Sequence, residues 1–145
     1  WSAREVFYAA TTDGRSWPGQ FIEADERARA GARATWVYQL DRESPLDPDR
    51  GAAHTDDLPY LFGTLDAPGS YSGSGQRARE ISEAMIRAFA GLARNGRPGL
   101  PAWQNYTLRE RETLMIAEDR IGMQSDPRGW QRAMWSTAPY IQPGI

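Results

Sequence analysis

Apolar positions along residues 76–94 fall into a helical pattern: Ile81, Met85, Phe89 and Leu92, with Ala78 and Ala88, recur at spacings of three and four. That spacing lays a single apolar stripe along one helix face, and the stripe is a core-packing face. Gly96 and Pro98 follow and stop the helix. A second helix is predicted over residues 18–30. Ser16 offers a capping hydroxyl, Pro18 suits the first turn and Gly31 closes the far end. Phe21, Ile22 and Ala28 give it a buried side, and Glu23, Glu26, Arg27 and Arg29 occupy the rest. Residues 3–10 form a shorter amphipathic piece before it. The pattern then changes. Residues 34–40, Ala-Thr-Trp-Val-Tyr-Gln-Leu, are β-branched and aromatic with no charge on either face, which predicts a strand covered on both sides. A helix leading directly into such a strand is an α/β unit and predicts a parallel sheet. Residues 112–116 and 121–124 flank Glu118-Asp119 as a β-hairpin at the sheet edge. Asp126 is placed to cap a last helix ending near Met134.

The connections carry the chemistry-bearing residues. Residues 41–55 are irregular and rich in Asp and Pro, and they lie just past the carboxyl end of the predicted strand. In open α/β sheets ligand sites gather at that edge. Residues 58–62 are apolar and predict a short helix or turn packed beneath it. Residues 66–75 form a Gly/Ser/Pro loop, expected to be exposed and mobile. Trp103 and Tyr106 sit in a Pro-rich connection, and Pro139 and Pro143 with Gly144 stop regular structure in the tail. There is no internal repeat and no domain boundary, so residues 1–145 are expected to belong to one domain. The chain opens on Trp1 with no basic-then-apolar leader and with helical pattern already in progress, which suggests the C-terminal portion of a longer protein.

Composition narrows the chemistry. The 145 residues, 16.3 kDa, would fold to roughly 7,500 Å² of accessible surface from roughly 24,000 Å² unfolded. The longest uncharged apolar stretch, residues 88–93, is too short for a membrane span. Net charge is −2 and the basic residues are scattered among acids, which argues against a nucleic-acid partner. All 17 basic residues are arginine, a choice that reflects coding bias rather than chemistry. The absence of cysteine excludes disulfides, thiol nucleophiles, Cys-zinc sites and iron–sulfur clusters. No metal and no organic cofactor is expected. His54 is the single histidine, and so the one imidazole available for proton transfer near neutral pH.

His54 is preceded by the small residues Gly51-Ala52-Ala53 and followed by Thr55-Asp56-Asp57. Small neighbours let the backbone pass close to another element. Asp57, three positions on, is placed to brace either the local turn or the site. A Ser-acid-His triad runs in that chain order in the α/β-hydrolase arrangement, with the histidine on a late loop. The nucleophile elbow Gly-x-Ser-x-Gly is missing, because residues 69–73, Gly-Ser-Tyr-Ser-Gly, have Tyr71 at their centre and follow His54. No His-Gly-Gly-Gly run supplies oxyanion donors. The chain therefore holds one third of a triad at most, with no nucleophile of its own.

Residues 51–63, Gly-Ala-Ala-His-Thr-Asp-Asp-Leu-Pro-Tyr-Leu-Phe-Gly, resemble the histidine loop of type-B carboxylesterases, the family of para-nitrobenzyl esterases and cholinesterases. Its pattern is Gly, Ala or similar, x, His, x, x, Glu, then apolar-Pro-aromatic-apolar-Phe-Gly. Trp36-Val37-Tyr38, residues 90–98, residues 100–106 and Arg111-Glu112-Thr113-Leu114-Met115 follow the family in the same order. The resemblance spans the chain from about Phe7 to the end. It implies an α/β fold, the C-terminal part of an α/β-hydrolase, with parallel strands flanked by helices and a C-terminal edge hairpin and helix. It implies ester substrates, His54 as the catalytic base, an upstream serine and acid outside this chain, and an N-terminal part joined covalently or as a companion chain. Asp57 stands where the family has Glu, and is implied as a carboxylate behind the site that acts on it through water. The competing expectation is a non-catalytic α/β-hydrolase-like module that acts through binding or assembly.

Overall fold

The computed structural model describes residues 2–139 and 141. Helix α1 (Ala3–Arg15) starts from a capping box: Ser2 Oγ accepts from the Glu5 amide, and the Glu5 carboxylate accepts from the Ser2 amide. It continues past the expected residue 10, with Glu5 in its first turn and Arg15 in its last, both favourable to the helix dipole. Helix α2 (Trp17–Arg29) follows after Ser16, with Pro18 in its first turn. Ser16 holds the cap position, but its hydroxyl makes no capping bond, contrary to the sequence expectation. Gly31, at φ +79°, turns the chain out of the helix.

Strand β1 is shorter than expected, Val37–Leu40 rather than residues 34–40. The missing residues are bonded elsewhere: the Tyr106 amide donates to the Thr35 carbonyl (2.8 Å) and Arg27 Nε donates to Thr35 Oγ1 (3.1 Å). Strand β2 (Glu112–Ile116) lies between β1 and β3 (Ile121–Ser125). The pairing is parallel between β1 and β2, Val37 opposite Thr113 through Leu40 opposite Ile116, and antiparallel between β2 and β3. The sheet is thus the expected parallel pair with an edge hairpin.

Helices cover both faces. Helix α3 (Leu58–Phe62) and α4 (Gln76–Asn95) pack on one, where Tyr60, Ile81, Met85, Ala88 and Trp103 meet Leu114 and Ile116 in the core. Gly96 closes α4 at φ +66°, as the sequence predicts. On the other face Trp17 of α2 and Arg128 before α5 (Gly129–Trp135) lie against Val37, Gln39 and Thr113. Asp126 does not cap α5. The cap position is Arg128, and Asp126 sits at φ +43° with its carboxylate held by Arg132 Nε (3.0 Å) and Nη2 (2.5 Å). A bidentate arginine outcompetes the helix amides for that carboxylate.

Loop 66–75 is exposed at most of its positions, as its composition predicts, but it is pinned at one. Ser72 is buried, and its carbonyl accepts from Arg42 Nη1 (2.6 Å) and from Tyr60 Oη (3.1 Å). Arg42 is itself buried and also reaches Glu118 (2.6 Å), so one guanidinium ties the end of β1, α3, the loop and the β2–β3 turn together. Residues 142–145 and Tyr140, where the sequence places an irregular tail, lie outside the described residues.

Candidate active site

His54 sits 14 residues past the end of β1 and folds back beside it. Its loop, the C-terminal half of β1 and the α1–α2 junction enclose an open cleft of about 290 Å³. The imidazole is exposed, and Ser16 Oγ lies 3.2 Å from its Nδ1. The hydroxyl that fails to cap α2 is the one facing the imidazole. Among the described residues Nε2 has no hydrogen-bond partner.

The residues around His54 hold a turn with one strained position. Thr55, a β-branched residue, adopts φ +73°, at a cost on the order of 1–3 kcal/mol. Its hydroxyl donates to the His54 carbonyl (2.5 Å). The Asp56 amide closes on the Ala53 carbonyl (3.1 Å), and the Asp56 carboxylate accepts from the Ala53 amide (3.0 Å) and from Arg50 (2.7 and 3.2 Å).

Asp57 occupies the cap position of α3 but makes no cap bond. Its Oδ2 accepts instead from Tyr38 Oη at 2.6 Å. The Tyr38 ring is fixed edge-on by Phe89 (5.7 Å) and Trp103 (5.9 Å). Burial, and then the hydrogen bond to the Asp57 carboxylate, push the Tyr38 phenol far above its ordinary range, so it stays a donor. Asp57 therefore braces the start of α3 against β1 through a direct bond. No hydrogen bond joins Asp57 to His54 among the described residues.

The described residues contain no group of three or more His, Asp or Glu able to hold a metal ion. No helix among them is long and apolar enough to cross a membrane. Loop 69–73 contributes no serine to the cleft, whose lining hydroxyls come from Thr12, Ser16, Tyr38 and Thr55.

A histidine at the carboxyl edge of a parallel strand is common to many α/β enzymes, so the sequence profile decides the family. Residues 3–135 match the carboxylesterase family. The chain belongs to the carboxylesterase family. Para-nitrobenzyl esterase of Bacillus subtilis is 28 % identical over 101 residues, covering 67 % of this chain and 20 % of that protein. Bovine bile salt-activated lipase is 34 % identical over 110 residues, covering 68 % and 18 %. A carboxylesterase structure from Geobacillus stearothermophilus superposes with a TM-score of 0.62 at 31 % identity, over 77 % of this chain and 24 % of that one. This carboxylesterase chain thus spans about a fifth of the length of the curated relatives it matches. Its helices and small mixed sheet are part of the α/β-hydrolase fold that these esterases share.

Sequence reasoning missed Ser16 as the neighbour of the imidazole, Tyr38 as the partner of Asp57, and the Arg50–Asp56 pair. The first two carry no local signal. The third does: opposite charges at 50 and 56 bracket a run of small residues around His54.

Proposed function

We propose that this chain is the histidine-bearing C-terminal segment of a serine carboxylesterase, and that His54 is its general base. The carrying observation is the placement of His54: in an open cleft at the carboxyl end of β1, within the histidine-loop motif of a chain matched by the family over residues 3–135. With the Nδ1 proton donated to Ser16 Oγ or to an upstream carboxylate, Nε2 keeps the lone pair. Nε2 takes the proton of an upstream serine as that oxygen attacks the ester carbonyl, then delivers it to the leaving alcohol. Water repeats the cycle on the acyl-enzyme. Asp57 acts behind the imidazole, by fixing α3 and the histidine turn to Tyr38.

The nucleophile and the triad acid come from polypeptide outside this chain, covalently continuous or as a companion. The surface supports that reading. The accessible area is 8,938 Å², about a fifth more than the scaling gives for a folded monomer of this mass. Phe7, Phe62 and Trp130 are each more than 60 % exposed, which leaves apolar surface for another segment to cover.

Active-site labelling tests the proposal. A fluorophosphonate should modify the complete esterase at one serine and leave the 145-residue chain unmodified. An adduct on a serine of this chain overturns the assignment of the nucleophile elsewhere.

A further inference from the structure

Residues 50–56 form a loop closed at its two ends by one ion pair. Arg50, the last residue of the 3-10 turn Pro48–Arg50, presents Nη2 to Asp56 Oδ1 (2.7 Å) and Nε to Asp56 Oδ2 (3.2 Å). This side-on fork is the most directional ion-pair geometry available to arginine. The pair is largely shielded, with the two side chains 21 % and 12 % exposed. Asp56 then passes the constraint inward, because its Oδ2 also accepts from the Ala53 amide, one residue before His54. The other face of the guanidinium stacks over Tyr71, 4.4 Å from the ring centroid. Tyr71 belongs to loop 66–75 and is anchored there by Ser44 Oγ, which donates to its carbonyl (2.8 Å).

The remaining restraints are single hydrogen bonds: the Ser44 amide to the Gly51 carbonyl (3.2 Å), the Asp56 amide to the Ala53 carbonyl (3.1 Å) and Ser16 Oγ against the imidazole. Gly51 is at φ +63°, Ala52 and Ala53 have only methyl groups to pack, and Thr55 is strained. A non-glycine residue persists in the left-handed region only where its surroundings over-determine it. The Arg50–Asp56 pair brackets Thr55, and the Asp57–Tyr38 bond fixes the chain two residues after it.

We propose that Arg50, clamped between the Asp56 carboxylate and the Tyr71 ring, is a positioning residue for His54: it closes loop 50–56 and couples loop 66–75 to the direction of the imidazole. Tyr71 is the second member of this device. The meaning for catalysis rests on His54 as the base, but the geometry of the imidazole can be read without it.

His54 is the only histidine, so in the full 145-residue chain labelled on the imidazole, ring nitrogen resonances report this residue alone. With the imidazole neutral, the parent chain should show a tautomer ratio displaced from that of a short unstructured peptide by the contact with Ser16. Arg50→Gln and Tyr71→Leu should each move the tautomer ratio toward that of a short unstructured peptide, with far-UV circular dichroism unchanged. Arg50→Lys, which keeps charge and loses the fork, should fall between. Tyr71→Leu retains apolar bulk and keeps the test open if Arg50→Gln fails to fold. In the complete esterase, Arg50→Gln should lower kcat roughly ten- to a hundred-fold, as misplacement of a reacting group does, with KM changed less than twofold. Tautomer ratios identical to the parent in both folded variants overturn the proposal. If the ratios move but His54→Ala leaves turnover intact, the clamp stands and the assignment of His54 as the base fails.

Discussion

Tyr38→Phe isolates the bond that links β1 to the histidine loop. The substitution removes one oxygen and keeps the ring, so the edge-on contacts with Phe89 and Trp103 and the apolar burial persist. What is lost is a 2.6 Å hydrogen bond to a carboxylate. A bond to a charged group contributes about 1.5–3 kcal/mol, and more is lost when the partner stays behind unpaired. Asp57 is only partly buried, so water can replace part of the lost bond; the lower half of that range, about 1.5–2 kcal/mol, applies. For a chain of this size that corresponds to a fall in Tm of roughly 5–7 °C. Thermal unfolding followed by circular dichroism at pH 7, with urea denaturation for the free energy, measures it. Adding Asp57→Asn completes a double-mutant cycle, and the two changes should be strongly non-additive, because either one alone breaks the same bond. A Tm within 2 °C of the parent for Tyr38→Phe, or an additive cycle, would refute the claim that this bond holds the histidine loop to the sheet.

Acid should expose a second buried carboxylate. Burial alone would raise the Asp25 carboxyl, but hydrogen bonds from Tyr106 (2.6 Å) and Arg111 (3.1 Å), with the charges of Arg111 and Arg29, outweigh it and hold it below the usual range. A depressed folded value contributes stability above the unfolded value, about pH 4, that is lost as pH falls through the folded one. Asp25→Asn should therefore be destabilised at pH 7, with its gap from the parent shrinking below pH 4 in urea titrations; a gap independent of pH contradicts this. Gly99→Ala should destabilise by about 3 kcal/mol or more, because its Cβ would stand 2.1 Å from the Arg87 carbonyl oxygen, and an unchanged urea midpoint would be the contrary result. Sedimentation of the 145-residue chain at several concentrations should show self-association, driven by its exposed apolar surface and the single-sided pairing of β1; a compact monomer at all concentrations contradicts that.

What the sequence made legible was local or ordered. The α4 stripe from Ala78 to Ala88 is buried as its spacing demands. The β2–β3 hairpin and the short helix after the histidine loop also fall where turn chemistry and apolar runs put them. The family is legible because five segments follow its order, and within the loop His54 stands out as the one imidazole. The failures share a cause, competition from partners outside the element being read. Ser16 was expected to cap α2, and its hydroxyl faces an imidazole 38 residues away. Asp126 was expected to cap α5, and Arg132 takes its carboxylate. Residues 34–36 look like strand, yet Arg27 and Tyr106 bond Thr35 off the ladder. Loop 66–75 has the composition of an exposed linker and is mostly exposed, but Arg42 and Tyr60, 30 and 12 residues before Ser72, bury that one position. Asp126 with Arg132 and Arg27 with Thr35 fall within one window of sequence, but nothing local says which bond wins; Ser16 with His54 and Arg42 with Ser72 share no window at all.

Turnover of p-nitrophenyl acetate by the complete esterase, with and without His54→Ala, tests the central claim most directly. Members of a catalytic triad act as a unit, so losing the base should lower kcat by several orders of magnitude. Far-UV circular dichroism and Tm should stay near the parent, since the imidazole is exposed and, among the described residues, its side-chain hydrogen bond is to Ser16. The account predicts that collapse of kcat in a folded protein. A folded His54→Ala enzyme that retains near-parental kcat contradicts it.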